Sequence, residues 1–236
     1  MSVLRLSKVT KEFKIGDRAV RALDGVDLEL GDREVVALLG PSGSGKTTLL
    51  TIAGALQRPT SGTVEVAGAE IQSMSERELS RVRRDKIGFI FQSYNLLAAL
   101  TAQENVQYML EMKGFRGTHA KERAKGILDM LGLGHRAHEL PKRLSGGEQQ
   151  RVAVARAFAS GGEVILADEP TANLDNTRAI ELTEMLRALS RDFGVPLLMV
   201  THDFRASQFA DRLLWLQDGH LREVKPDEVG HLATGH

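Results

Sequence analysis

Short apolar runs, each closed by a polar or glycine-rich stretch, set the rhythm of this chain. Strand-like segments are Val3–Thr10, Glu34–Gly40, Gly62–Gly68, Lys86–Gln92, Glu163–Glu169, Val195–His202 and Asp211–Gln217. Several, such as "VVALL" and "VPLLMV", are apolar at nearly every position instead of alternating. Runs of that kind flanked by helices predict parallel strands buried on both faces. The last run meets "LREV" across Asp218-Gly219, a hairpin turn signal. Ser75 with Glu78 and Thr101 with Glu104 have the spacing of capping boxes and predict helix starts. From about Thr101 to Ala159 no convincing strand occurs, and three helices in a row are expected. That break in the strand–helix alternation predicts a helical subdomain, about residues 93–160, within an α/β domain spanning 1–223. The tail, 224–236, is polar, holds a proline and two glycines, and is expected to fray.

Composition narrows the class. The chain has 236 residues, 42% hydrophobic and 26% charged, enough for a large apolar core. The formal net charge is zero, so nothing global points to nucleic acid. With no cysteine, disulfides, thiolate zinc sites and a cysteine nucleophile are excluded. The N-terminus "MSVLRLSKVTKEF" is charged every few residues, unlike a signal peptide. The longest apolar stretches are far too short to cross a bilayer. Work at a membrane would therefore need a membrane part from another chain.

Glycine-rich chemistry appears at two places. "GPSGSGKT", Gly40–Thr47, fits the phosphate-loop pattern between a buried strand and the apolar helix "TLLTIAGAL". Gly40, Pro41, Ser42, Gly43, Ser44 and Gly45 would wrap main-chain N–H groups around phosphates. Lys46 would reach the β- and γ-phosphates, and the Thr47 hydroxyl, beside Thr48, would hold Mg²⁺. "VILADEP", Val164–Pro170, ends an apolar strand in two acids. Asp168 would complete the Mg²⁺ site, and Glu169 would polarise a water for in-line attack. Gln92 and His202 also end strands on what should be the same sheet edge, although alone each reads as structural. The second place is "RLSGGEQQRVAVARA", Arg143–Ala157. Ser145 there can cap a helix, and Gly146 and Gly147 leave amides bare at its positive end, an anion site. One nucleotide already has its phosphates in the first cradle, so the second needs an explanation.

Taken together, these residues resemble the ATP-binding subunit of an ABC transporter, over about Val3 to Val224. The matching elements occur in family order: Walker A at Gly40–Thr47, the glutamine loop at Gln92, the signature "LSGGE" at Leu144–Glu148, Walker B through Asp168–Glu169, the "NLD" loop at Asn173–Asp175, and the switch histidine His202. The resemblance implies a P-loop NTPase (RecA-like) core with a mainly parallel sheet, an N-terminal antiparallel β region and the inserted α-helical subdomain. It implies ATP and Mg²⁺ as ligands, with Gln92 also near the metal. Phe13 falls where the family stacks an aromatic ring on adenine, though it could equally be a core residue of its strand. The family also explains the second cradle. Two copies pack head to tail, and each ATP lies between Walker A of one chain and Ser145, Gly146, Gly147 and Glu148 of the other. Asp175 would help form that seam.

Within the family, "FIFQSYNLLAALTAQENV" and "LADEPTANLD" resemble the group serving lipoprotein release, macrolide efflux, haem efflux and glycolipid export. "GEQQR" replaces the "GERQR" or "GQQQR" of many members, with no catalytic consequence. The implied protein is an energy-coupling ATPase of an exporter or membrane-extraction system for a hydrophobic or lipid-like substrate. It would sit in the cytoplasm, peripheral on the inner face of the membrane, with a second ATP-binding subunit and a transmembrane permease as partners. The stretch after Gln92 is where the family docks a coupling helix of the permease. The alternative is a soluble ABC ATPase acting on nucleic acid or in translation. The short insertion, the missing cysteines and the single Walker A motif argue against it.

Overall fold

The structure is a computed structural model that describes residues 2–16 and 18–234. The chain opens as a long ribbon, β1 (Ser2–Ile15) and β2 (Arg18–Gly31). Then come β3 (Val35–Leu39), α1 (Lys46–Ala53), β4 (Ser61–Val66), the short β5 (Ala69–Glu70), α2 (Glu76–Lys86) and β6 (Ile87–Ile90). Three helices follow in succession, α3 (Ala102–Met112), α4 (Gly117–Met130) and α5 (Gly146–Ala159). The chain closes with β7 (Val164–Asp168), α6 (Asn176–Phe193), β8 (Leu197–Val200), β9 (Arg212–Gln217), β10 (His220–Val224) and α7 (Pro226–Thr234).

The strands form two sheets. One is antiparallel, in the order β2-β1-β4-β5. The other runs β10-β9-β3-β8-β7-β6, and its strands from β9 to β6 are all parallel. β10 adds an antiparallel edge. Asp218 (φ 51°) and Gly219 (φ 78°) make its turn with both central residues left-handed, as a two-residue hairpin requires.

β3 shows why the central strands are apolar throughout. Val36 and Leu38 face the antiparallel sheet and α1, in a cluster with Leu6, Leu28, Leu49 and Ile52. Val35, Ala37 and Leu39 face the other way, onto a cluster that takes in Val106, Leu128, Val154 and Leu186. The three successive helices thus share one core with a sheet face.

Two segments differ from the sequence pattern. β2 lies where the pattern suggests no strand, because "RAVRALDGVDLELG" has no continuous apolar run and contains a turn-like Asp24-Gly25. The ribbon absorbs this with register shifts between β1 and β2. Residues 226–234 of the expected tail do not fray: α7 forms, and Val229, 2% exposed, anchors it in the core cluster, while 235 and 236 lie outside the described residues. The other expected helix starts are present. Ser75 and Glu78, and Thr101 and Glu104, each make both bonds of a capping box.

Parallel strands place all their C-terminal ends on one edge of the sheet. Gly40 follows β3, Gln92 follows β6, Asp168 ends β7 and His202 follows β8. Ligands bind at such an edge in open α/β sheets.

Candidate functional site

A cavity of about 390 Å³ opens at that edge, lined by Ala22, Ser42, Gly43, Gly45, Lys46, Thr47, Thr48, Gln92, Glu169 and His202. Gly40 and Gly45 have φ of 151° and 104°. A methyl group on Gly40 would lie 2.1 Å from the Leu216 carbonyl oxygen, and one on Gly45 would lie 2.4 Å from that of Ala22. Only glycine permits both the conformation and the approach. The Lys46 ammonium donates to the carbonyls of Gly40 and Pro41, each at 2.8 Å. Burial lowers its pKa, and the charges of Glu169 and Asp168 push it back up. The Ser44 hydroxyl is buried and finds no partner among the described residues. A buried, unpaired hydroxyl and a folded-back lysine in a ring of amides fit phosphate oxygens.

The Thr47 hydroxyl lies 3.4 Å from Asp168 Oδ1. Burial raises the Asp168 pKa and the Glu169 charge adds to it, while the Thr47 hydrogen bond and Lys46 oppose them. Among the described residues no three acidic, histidine or cysteine side chains converge as a metal cage. One carboxylate and one hydroxyl suit Mg²⁺, which keeps waters and takes substrate phosphates as ligands.

Glu169 has a left-handed φ of 46°, a costly conformation for a side-chain-bearing residue. Its amide donates to the Val200 carbonyl at 2.9 Å, which ties the strained turn to β8. Its Oε2 accepts the His202 amide at 3.2 Å and lies 2.8 Å from His202 Nδ1. A carboxylate and an imidazole in contact can orient a water and handle its proton.

The signature stands apart. No residue of 145–148 lines the cavity around Lys46. Ser145 caps α5, and with Glu148 it makes both bonds of a capping box. The Glu148 carboxylate accepts the Ser145 amide at 2.7 Å and Arg136 Nε at 2.9 Å. The bond from the Ser145 amide holds the Glu148 pKa down to about 2, with Arg136 assisting against burial. The amides of Gly146 and Gly147 begin the helix and have no carbonyl to reach within it. These donors suit an anion, and they lie outside the cavity formed by this chain's own phosphate loop.

The remaining expected residues fall as follows. Asp175 caps α6, accepting the Arg178 amide at 3.0 Å. Phe13 pairs with Val20 across the ribbon, under the Lys11 ammonium at 5.2 Å, and does not line the Lys46 cavity. Sequence reasoning missed Ala22, which enters the cavity from β2, and Arg136, which reaches Glu148 from a separate turn. It named Asn173 in the "NLD" loop but missed its contact, the side chain donating to the Gln92 carbonyl at 3.0 Å. None of these contacts has a local signal, since each joins distant segments.

The comparisons with known proteins agree with this geometry. The family described as ABC transporter matches residues 23–172. An uncharacterised ABC transporter ATP-binding protein of Thermotoga maritima is 45% identical, covering 94% of this chain and 95% of that protein. The macrolide export ATP-binding/permease protein MacB of an Azoarcus species is 42% identical over 93% of this chain, which spans 33% of MacB. Among solved structures, a dimeric post-hydrolysis state of the ATP-binding cassette MJ0796, bound to ADP and Pi, is 41% identical. It superposes with a TM-score of 0.86, covering 94% of this chain and 98% of that one.

Proposed function

The chain belongs to the ABC transporter family, as its ATP-binding, ATP-hydrolysing and energy-coupling part, and on that premise we propose how its residues do the work. Amides of Gly40–Thr48 and the Lys46 ammonium hold the ATP phosphates. Thr47, Asp168 and Gln92 would hold Mg²⁺, which when bound neutralises charge on the β- and γ-phosphates. Glu169 takes the proton of the attacking water, and His202 orients Glu169. Phe13 flanks the adenine from the ribbon.

The second cradle acts on the ATP of another copy. The observation that carries this reading is that residues 145–148 lie outside the cavity of Lys46 and Glu169, while the amides of Gly146 and Gly147, unlike those of Ser145 and Glu148, have no acceptor among the described residues. The dimeric state of the MJ0796 cassette supports it. The site needs Ser145, Gly146 and Gly147 of a partner copy, with Asp175 near the seam.

The membrane partner docks elsewhere. Phe89, Phe91, Leu97, Tyr108 and Met109 line an apolar groove of about 260 Å³ beside the loop that follows Gln92. A permease segment would fill it, holding the subunit on the cytoplasmic face of the membrane. Among the described residues no helix is long and apolar enough to cross a membrane itself. The MacB relative favours export or extraction of a hydrophobic compound. Nothing favours an ATPase acting on nucleic acid, given zero formal net charge.

Mixing two inactive variants tests the two-chain site. Ser145→Arg chains combined with Lys46→Ala chains form mixed dimers that keep one intact site, so turnover should reappear. A signature acting within its own chain would leave every site defective, and no mixture would recover.

A further inference from the structure

The loop from Phe91 to Leu100 joins β6 to α3 and borders the apolar groove. Its own main-chain bonds stay inside it: Tyr94 to Phe91 at 3.1 Å, Asn95 to Ser93 at 2.6 Å and Leu100 to Leu97 at 3.0 Å. Side chains of three other elements hold it in place. Asn173, from the loop before α6, donates to the Gln92 carbonyl. Asn105 of α3 accepts the Leu97 amide at 2.8 Å and donates to the carbonyls of Leu97 and Leu100. Arg156 of α5 donates to the carbonyls of Tyr94, at 3.0 Å, and Asn95.

The Arg156 clamp sits where the loop is most strained. Tyr94 and Asn95 have φ of 61° and 49°, two left-handed residues in succession and neither a glycine. The guanidinium is half-buried and lines the groove with Leu97 and Tyr108. Burial alone disfavours its charge, and no carboxylate compensates among the described residues. Its partners among the described residues are thus the two carbonyls. At the other end of α5 the phenol of Tyr94 lies against the signature, where a methyl group on Gly146 would come within 3.0 Å of its hydroxyl oxygen. One helix therefore grips the loop's main chain near its C-terminal end and meets the loop's ring at its N-terminus.

We propose that Arg156 is a positioning residue that keeps Tyr94 and Asn95 left-handed, so that the loop beside the groove and the amides of Gly146 and Gly147 move as one body. This rests on the reading that the second cradle closes on a partner copy's ATP. It assigns Arg156 and the Tyr94 ring a role in that closure and none in binding ATP within one chain.

The test uses the full chain and compares wild type, Arg156→Lys, and Arg156→Lys with Asn95→Gly. Lysine keeps the charge but loses the two-pronged donation. ATP affinity of the monomer by calorimetry should change less than about twofold, and kcat and ATP-driven dimerisation should each fall roughly tenfold. Asn95→Gly should then recover most of the loss, because glycine takes the left-handed conformation without a clamp. An undiminished kcat in Arg156→Lys overturns the proposal. So does a loss that Asn95→Gly leaves untouched, since a merely structural arginine would not be rescued from the loop. If Arg156→Lys does not fold, Tyr94→Ala takes its place: it should melt near wild type yet dimerise poorly, and unimpaired dimerisation would overturn the proposal. Dimerisation is read in the Glu169→Gln background, where slow hydrolysis preserves the two-chain state, and a Glu169→Gln protein that fails to dimerise with ATP would overturn the two-chain reading, and this inference with it.

Discussion

Around Gly40–Thr48 the main chain comes so close to Ala22 and Leu216 that glycine is obligatory at Gly40 and Gly45. Around Ser145–Glu148 no main chain comes so close: a methyl group on Gly147 would make ordinary contacts with Leu174 and Arg178, and one on Gly146 would meet the side-chain hydroxyl of Tyr94 at 3.0 Å. The first cradle is packed against its own sheet edge and carries chemistry with it, Lys46, Asp168, Glu169 and His202 all being within one cavity or beside it. The second is a helix start whose side chains satisfy each other through a capping box and an arginine. It offers amides and little else. A site that holds donors without a base or a metal ligand cannot do the reaction alone. It can complete a site that already has them, which is the part the proposed two-chain arrangement gives it.

The comparison can be broken from either side. The largest effect is expected from Glu169→Gln, which should keep ATP binding and cut hydrolysis by roughly two to four orders of magnitude, the range of a lost general base. Single-turnover hydrolysis checks it, and full activity would move the base to His202. Next, Lys46→Ala removes a charged donor worth about 1.5–3 kcal/mol. ATP affinity by titration should fall roughly 10- to 100-fold, while the signature side of the molecule stays intact. The smallest effect sharpens the other cradle. Glu148→Gln weakens the capping box and should cost about 1 kcal/mol of stability at neutral pH. The folded pKa of Glu148, about 2, lies below its ordinary 4.5, so its contribution is full above pH 4.5 and disappears as pH falls towards 2. Melting curves of wild type and variant should therefore converge over that window.

The two cradles also differ in how far the chain's pattern reveals them. Gly40–Thr48 is legible because all its parts are local: an apolar strand, fixed glycine spacing, a lysine and an apolar helix. Asp168, Glu169, Gln92 and His202 are legible as strand ends, because parallel strands share one edge. Ser145 is legible as a cap. What surrounds these residues was not legible. Arg136 reaches Glu148, Asn173 reaches Gln92 and Arg156 reaches Tyr94 through the fold. β2 was hidden because register shifts let a strand run through Asp24-Gly25. α7 was hidden because its polar sequence is anchored by Val229 in a core assembled from the rest of the chain. The role proposed for the second cradle rests on resemblance, since residues of one chain do not display a contact made by two.

Light scattering of the Glu169→Gln protein, with and without ATP, tests the account most directly. Slow hydrolysis should trap the two-chain state, so ATP should double the molar mass. Adding Ser145→Arg places a bulky cationic side chain where the partner's γ-phosphate belongs. That double variant should bind one ATP per chain with unchanged affinity and remain a monomer. A monomeric mass for Glu169→Gln with saturating ATP, or equal dimerisation with and without Ser145→Arg, would contradict a signature that works across two chains.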